Sequence, residues 1–215
     1  MPCGDSAFLL EFPDLAAVVA YYRGLNGPVP SAASAAGGSL PSGVIDVVPA
    51  ARTVLVSFDP EAIAPSDVLD WLHGVSSKGA LPTGSAEVSG REVSLVVSYG
   101  GPDLAEVAQY LGLGEAAVVK LHTGSLWTAA FAGFAPGFVY LVTDHERLRV
   151  PRRNTPRTSV PAGAVGLAGE FSGVYPRSSP GGWQIIGTTT AALWDASQAE
   201  PALIRPGDSV RFVEA

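Results

Sequence analysis

The abundance of glycine and proline constrains the fold of this chain more than any other feature of its sequence. The 215 residues include 25 glycines and 18 prolines, one fifth of the chain, against roughly 12% in average proteins. Glycine adopts backbone angles that other residues avoid, and proline fixes one angle and lacks the amide hydrogen. The composition therefore predicts many tight turns that join short strands.

Charge and hydropathy exclude several classes of protein. Hydrophobic residues make up 47% of the chain and charged residues 15%, which argues against intrinsic disorder and against a coiled coil. The net charge of −7 excludes a nucleic-acid footprint spread over the whole surface. With one cysteine, Cys3, and three histidines, neither a disulfide framework nor a structural zinc site is expected.

Targeting signals are also missing from the sequence. The first residues carry no basic leader region, and no apolar run approaches the roughly 18–20 residues of a membrane span. We therefore expect a soluble, cytoplasmic protein that binds neither nucleic acid nor membrane.

Residues 1–75 predict a small α+β domain. The expected order is strand, helix, strand, strand, helix over residues 7–12, 15–22, 44–48, 53–58 and 67–73. Asp14 and Ser66 stand where the caps of the two helices belong. Residues 26–43 predict a loop because they are mostly Pro, Gly, Ser and Ala, and residues 76–90 predict a linker because they show no periodicity.

Residues 91–215 predict a mainly-β barrel that carries a helical insertion. A strand over residues 93–97 precedes two helices that begin at Asp103 and Glu115. Six short β-prone runs follow, over residues 127–131, 138–142, 164–168, 173–175, 183–187 and 209–212. Close spacing of such runs between turn residues is typical of a barrel.

His122 is the first candidate site residue, because it lies where the second of these helices is predicted to end. The negative end of the helix dipole would stabilise the protonated ring and raise its pKa. This position suits a general base or a donor to a substrate. The alternative is a histidine that only bonds a free helix carbonyl.

The segment Gly-Phe-Ala-Pro-Gly-Phe at residues 133–138 is the second candidate. Its glycines and proline favour an irregular backbone whose amides face a ligand, while Phe134 and its neighbour exclude water; Gly137 would allow the close approach. The alternative is a rigid turn with both phenylalanines in the core.

An arginine-rich segment is the third candidate. Five of the 13 basic residues fall within eleven positions: Arg147, Arg149, Arg152, Arg153 and Arg157. Guanidinium groups bind carboxylate or phosphate through two hydrogen bonds, so the segment predicts an anion site. A solvated basic face or a contact with a partner protein remains the alternative.

The turn at residues 178–184 is the fourth candidate. Gly181 and Gly182 allow close backbone approach, and Gln184 offers the donor and the acceptor that an amide or lactam edge requires. A plain barrel turn explains the same residues. The sequence contains no Walker phosphate loop, no serine nucleophile elbow and no Cys-x-x-Cys pair.

These segments, in this order, strongly resemble the family of 5-oxoprolinase B-type subunits. That family is also called allophanate hydrolase subunit 1 and includes the sporulation kinase inhibitors. The resemblance covers nearly the whole chain and depends on residues 122–123, 133–138, 151–157, 160–166, 173–176 and 179–184. One departure is the loop after Gly101, which reaches Pro102-Asp103 directly and lacks the acidic residue that relatives place there.

The resemblance implies a fold, a reaction and partners. The fold is an α+β domain followed by a cyclophilin-like barrel. The reaction is ATP-dependent opening of 5-oxoproline to glutamate. It involves a C-type partner (allophanate hydrolase subunit 2) and, in the full enzyme, an A-type partner. ATP, with Mg²⁺, would be held wholly or partly by those partners.

Roles for the candidate residues follow from that reaction. Arg152, Arg153 and Arg157 are the expected anion-binding residues and His122 is the expected acid or base, while Gln184 and the 133–138 loop shape the pocket. Two alternatives stay open. One is a carboxyltransferase component of the urea carboxylase type, and the other is a binding module that inhibits a histidine kinase.

Overall fold

Two units make up the chain, Met1–Ser89 and Gly90–Ala215. The computed structural model describes residues 1–26, 40–77 and 91–215. Most of the predicted loop at 26–43 and of the predicted linker at 76–90 lies outside these ranges. The first two residues of that linker, 76 and 77, belong to a helix.

The first unit packs two helices with a three-stranded antiparallel sheet. Its elements are β1 (Ala7–Glu11), α1 (Leu15–Asn26), β2 (Val44–Pro49), β3 (Thr53–Phe58) and α2 (Pro65–Ser77), and the sheet order is β1-β3-β2. Alternate residues of β3, Val54, Val56 and Phe58, point into the core, as expected for a strand with one covered face.

The two helix starts of this unit differ in how well their sequences predict them. Asp14 caps α1, since its carboxylate accepts a hydrogen bond from the Ala17 amide at 2.8 Å. The prediction for Ser66 is wrong, because α2 already begins at Pro65. Proline suits the first helical position, where its missing amide hydrogen costs no hydrogen bond.

The second unit contains a closed seven-stranded barrel. Its elements are β4 (Glu92–Tyr99), α3 (Leu104–Leu111), α4 (Glu115–Gly124), β5 (Trp127–Ala132), β6 (Val139–Val142), β7 (Arg157–Val160), β8 (Ala164–Ala168), β9 (Phe171–Val174), β10 (Ser179–Gly181), β11 (Gln184–Thr188) and β12 (Ser209–Glu214). The order around the barrel is β11-β4-β12-β5-β6-β9-β8, and β8 pairs with β11 to close it. Only the pair β4–β12 is parallel among these barrel pairs.

The barrel interior is filled by apolar side chains. Trp127, Leu141, Leu167, Ile186 and Phe212 are among its buried residues, so this barrel is a packed core. The pair α3–α4 forms the insertion between β4 and β5, and Gly112 ends α3 with a left-handed backbone (φ 66°). The predicted fold class, an α+β unit followed by a mainly-β barrel with a helical insertion, is confirmed.

One small ribbon was not predicted. Strands β7 and β10 pair with each other outside the barrel, with Ser179 opposite Val160 and Gly181 opposite Arg157. Proline cannot donate to a strand ladder and so obscures the strand pattern where it occurs; Pro156 precedes β7 and Pro180 lies within β10. This ribbon carries one end of the arginine-rich segment.

Candidate functional site

A buried carboxylate organises the arginine-rich segment. Asp103 is almost fully buried; its Oδ1 accepts hydrogen bonds from Arg153 at 2.5 Å and Arg157 at 2.7 Å, and its Oδ2 accepts one from the Ile185 amide at 2.6 Å. Burial alone would raise the pKa of Asp103. The Arg157 and Ile185 hydrogen bonds, with the charges of Arg157 and Arg153, hold that pKa below its ordinary value. We call these three residues, Asp103, Arg153 and Arg157, the Asp103 clasp.

The clasp changes the picture of the predicted anion site. Arg153 and Arg157 were expected to offer free guanidinium groups, but both are engaged with Asp103. Arg153 also lies 3.7 Å from Glu106. Within the described ranges, Arg152 is the candidate arginine without an ion pair.

Sequence reasoning missed Asp103 as a site residue for a physical reason. The residue directly precedes α3, where an aspartate is expected to cap the helix, yet its side chain makes no capping hydrogen bond. It turns instead toward residues 50 and 54 positions further along the chain. A cluster of arginines in an acidic chain was the available signal that a buried carboxylate stands opposite.

Aromatic rings form a continuous layer beside the clasp. We call Phe138, Tyr140, Tyr175 and Trp183 the aromatic wall, since each contacts the others edge-on or nearly so at centroid distances of 5.1–6.5 Å, apart from the pair Tyr140–Tyr175. Phe138, Tyr175 and Trp183 are buried and Tyr140 is half-buried. Tyr140 and Tyr175 were not among the predicted site residues.

Phe134 covers the edge of this wall from outside. Its ring meets Phe138 at 5.3 Å and Tyr175 at 6.1 Å, while 59% of the residue stays exposed. Its backbone is left-handed (φ 70°), a conformation that costs a residue with a side chain about 1–2 kcal/mol. The two phenylalanines therefore divide between the two interpretations: Phe138 belongs to the core, and Phe134 is presented to solvent.

The candidate glycines serve packing more than ligand approach. A Cβ on Gly181 would collide with the Tyr175 hydroxyl, and one on Gly137 would lie 2.8 Å from Trp194 and 2.9 Å from the Leu193 carbonyl. The space next to both glycines is therefore occupied by the protein itself. Gly182 differs, since its nearest neighbour would be 3.8 Å away.

Gln184 lines a cavity of about 230 Å³ together with residues of α3 and of the segment before the arginines. Its side-chain amide donates to the Pro151 carbonyl at 3.3 Å. Its Oε1 is buried and has no hydrogen-bond partner among the described residues, and the same is true of Arg153 Nε and Arg157 Nη1. Glu106 and Tyr110 line the other side of the cavity.

His122 lies inside the barrel and not at a surface. The residue has no exposed area, and its ring packs against Phe212 at 4.2 Å and Trp127 at 5.1 Å. Its Nδ1 is 2.7 Å from the Tyr99 hydroxyl and its Nε2 is 2.9 Å from Ser172 Oγ. The predicted rise in its pKa is wrong, because burial lowers the pKa of His122 to about 3.

The hydrogen bonds of His122 define its tautomer. Ser172 Oγ donates its single proton to the Gly166 carbonyl at 3.3 Å, so it accepts from Nε2–H of His122. Nδ1 is then unprotonated and accepts from the Tyr99 hydroxyl. The ring is a neutral link between β4, α4 and β9, and in this conformation it contacts no space that a substrate could enter; a catalytic role for His122 stays a prediction.

Two further searches bear on cofactors and membranes. Among residues 1–26, 40–77 and 91–215, no group of three His, Cys, Asp or Glu side chains is placed to hold a metal ion. The helices described in these ranges include none that is long and apolar enough to cross a membrane.

The barrel with its helical insertion and the ordered motifs around the Asp103 clasp define a carboxyltransferase-type domain. Residues 1–204 match the family described as carboxyltransferase domain, subdomain C and D. Within this class the chain belongs to the family of 5-oxoprolinase B-type subunits.

Two curated relatives carry that name. The chain is 43% identical to the 5-oxoprolinase B-type subunit of Escherichia coli O157:H7 over 79% of its own length and 78% of the relative's. It is 37% identical to the 5-oxoprolinase B-type subunit of Bacillus subtilis strain 168 over 98% of its own length and 90% of the relative's.

Solved structures place the same fold inside longer chains. TTHA0988 superimposes with a TM-score of 0.74 at 38% identity, covering 97% of this chain, and this chain spans only 40% of TTHA0988. The urea amidolyase of Kluyveromyces lactis superimposes with a TM-score of 0.69 at 17% identity over all of this chain, which spans 14% of it. The second likeness shows the fold alone.

Proposed function

We propose that this chain is the B-type subunit of an ATP-dependent amidohydrolase that opens 5-oxoproline to glutamate. The observation that carries the proposal is the identity to two proteins named as the B-type subunit of 5-oxoprolinase, which extends over at least 78% of each relative. The chemistry around the Asp103 clasp supports the same reaction.

The reaction needs an activated amide. A lactam carbonyl is resonance-stabilised, so in the proposed sequence its oxygen takes a phosphoryl group from ATP and ADP leaves. Water then adds to the activated carbon, the ring C–N bond breaks, and phosphate departs to leave glutamate. The protein must bind the substrate carboxylate and keep bulk water from the activated species.

The described residues supply parts of such a site. Arginines bind carboxylates through paired hydrogen bonds, and Arg152 lies exposed in the segment that Arg153 and Arg157 anchor. The aromatic wall with Phe134 offers an apolar surface next to which a small ring could be shielded from water. Gln184 keeps an unpaired acceptor in the neighbouring cavity.

The triphosphate of ATP does not fit these residues alone. The sequence has no Walker loop, and the charges of Arg153 and Arg157 are engaged with Asp103. We therefore assign ATP, with Mg²⁺, wholly or partly to partner proteins. These are the C-type partner, a homologue of allophanate hydrolase subunit 2, and, in the full enzyme, the A-type partner.

A single assay tests the proposal. ATP hydrolysis that depends on 5-oxoproline is measured with this chain alone, with the partner proteins alone, and with all of them mixed. We expect turnover only in the mixture, with stoichiometric glutamate. No 5-oxoproline-dependent turnover in any mixture would reject the proposed reaction.

A carboxyltransferase component is the second candidate. The family description and the fold shared with a urea amidolyase favour it. The same mixtures would then carboxylate or hydrolyse urea derivatives and would be indifferent to 5-oxoproline. Inhibition of a histidine kinase stays a prediction, which a binding assay with a kinase domain addresses.

The proposed compartment is the cytoplasm. The one cysteine of the chain, Cys3, is a free, exposed thiol, which suits a reducing environment.

A further inference from the structure

We propose that Arg152 alone among the candidate arginines binds the substrate carboxylate, at the aromatic wall, while Arg153 and Arg157 position the segment that carries it. This inference rests on the proposed function for the identity of the substrate. It assigns different tasks to three residues that the sequence treats alike.

The ion pairs separate the arginines. Arg149 is bound to Glu146 at 3.1 Å, and Arg153 and Arg157 are bound to Asp103. Arg147 and Arg152 are both exposed, and neither makes an ion pair or side-chain hydrogen bond to any described residue. The structure therefore leaves two guanidinium groups in this segment available to an anion.

Position then distinguishes Arg152 from Arg147. The next residue, Arg153, donates its backbone amide to the Gly182 carbonyl at 2.8 Å, and Gly182 precedes Trp183 of the aromatic wall. Gly181, one residue earlier, lies directly against the Tyr175 hydroxyl. Arg152 is thereby held next to the strip of chain on which the wall is built.

Two tyrosines of the wall respond to Arg152. Burial raises the pKa of Tyr140 and of Tyr175, and in both cases the positive charge of Arg152 opposes that rise. For Tyr140, Arg152 is the one charged group that acts on the phenol. These effects agree with the placement that the backbone contacts give.

The charge of the site selects a monoanion. The two clasp arginines face the carboxylates of Asp103 and Glu106, so their charges are offset and Arg152 contributes the one uncompensated charge. A single guanidinium matches a single carboxylate, which it binds bidentately, whereas a triphosphate requires several cations. A compact ring that carries one carboxylate, with its apolar face toward Phe134 and the wall, fits this arrangement.

The clasp explains why two further arginines are present. The Asp103 carboxylate ties β7, through Arg157, to β11, through the Ile185 amide, and Arg153 joins the same oxygen as Arg157. These bonds fix the backbone on both sides of Arg152. Arg153 and Arg157 thus act through position, without contacting the substrate.

The test compares Arg152 with the second free arginine of the segment. Binding of 5-oxoproline and of cyclopentanecarboxylate to the full chain is measured by isothermal titration for wild type, Arg152→Gln, Arg152→Lys, Arg147→Gln and Arg147→Lys. Both Arg152 variants should weaken binding of both carboxylates at least about tenfold, because glutamine removes the charge and lysine loses the two-donor fork. The Arg147 variants should bind as wild type does.

Kinetics of the assembled complex give the second readout. Arg152→Gln should raise KM for 5-oxoproline at least about tenfold, with the KM for ATP unchanged; for 2-pyrrolidinone, which lacks the carboxylate, wild type and variant should give equal kcat/KM. Wild-type affinity in the Arg152 variants, an equal loss in the Arg147 variants, or a rise in the KM for ATP would overturn the assignment.

The two readouts also separate this inference from the proposed function. If the complex never turns over 5-oxoproline but the chain binds carboxylates through Arg152, the reaction is wrong and the anion site stands. If turnover occurs and is indifferent to Arg152, the reaction stands and the anion site is wrong.

Discussion

At the scale of single residues, the sequence identified the right chemical groups but not their partners. Arg153 and Arg157 were recognised from their density in an acidic chain, yet the residue that binds both of them, Asp103, resembles an ordinary helix cap. Which partner a charged side chain finds depends on contacts across 50 positions or more, and no local pattern encodes them. His122 is similar, because its helix position suggested a charged ring and only the barrel interior shows that it is neutral.

We expect Asp103→Asn to destabilise the chain strongly. The substitution leaves two partly buried guanidinium groups without a negative partner, which costs about 3–5 kcal/mol for a buried pair. The free energy of unfolding is measured by chemical denaturation at pH 7. Glu146→Gln is the matched control, since its exposed pair with Arg149 contributes at most about 1 kcal/mol; equal effects of the two substitutions would contradict the clasp.

The pH dependence of stability provides a test of His122. The folded-state pKa is lowered to about 3, and the unfolded ring titrates near 6.5, so the unfolded state takes up a proton first as the pH falls. The contribution of His122 is therefore complete above about pH 6.5 and is lost progressively toward pH 3, by up to about 1.4 kcal/mol per pH unit. Asp103, with its lowered pKa, loses its contribution below its unfolded value of about 3.9, at the acid end of this window.

Ring chemical shifts and denaturation curves measure this effect. The NMR signals of His122 should stay those of the neutral Nε2–H tautomer from pH 8 to pH 5, while the free energy of unfolding falls over the lower part of that range. Denaturation of a His122→Gln variant should show a shallower fall. A His122 ring that titrates above pH 5 would disprove the neutral, buried assignment.

At the scale of elements, periodicity and turn residues were sufficient for most of the architecture. The predicted strand at 53–58 and the one at 164–168 agree with β3 and β8 residue for residue, because their apolar side chains alternate or are continuous between clear turn signals. The ribbon β7–β10 was missed because prolines interrupt its pattern. Its function is also invisible locally: Gly181 was interpreted as room for a ligand, but the Tyr175 hydroxyl occupies that room.

Alanine substitution of the paired glycines tests this element. Gly181→Ala should destabilise the chain by about 1–3 kcal/mol, the usual cost of overpacking, since the new methyl group collides with Tyr175. Gly182→Ala should stay within about 0.5 kcal/mol of wild type, because the nearest atom is 3.8 Å away. Thermal denaturation of the two variants side by side decides the point; a tolerated Gly181→Ala would show that Tyr175 is not held against β10.

At the scale of the whole molecule, the chain looks like a part of a larger assembly. Its mean hydropathy is +0.27 with 15% charged residues, and large apolar side chains are exposed in both units, among them Ile45, Val96, Tyr110, Phe134 and Trp194. Its fold occurs as 40% of TTHA0988 and 14% of a urea amidolyase. The sequence could predict a partner from composition and resemblance, but the partner's surface is not encoded in one chain.

We therefore expect a stable hetero-complex with the C-type partner. Burial of the exposed apolar groups against a partner is favourable by roughly 25 cal/mol per Å², and a stable interface removes about 1,200–2,000 Å² from solvent. Sedimentation velocity at micromolar concentration should show one faster boundary that contains both chains, whereas mixing with an unrelated acidic protein should show two separate boundaries. Two independent boundaries with the C-type partner would mean that these apolar side chains serve some other contact, and the 5-oxoproline reaction would then have to be sought in a different combination of proteins.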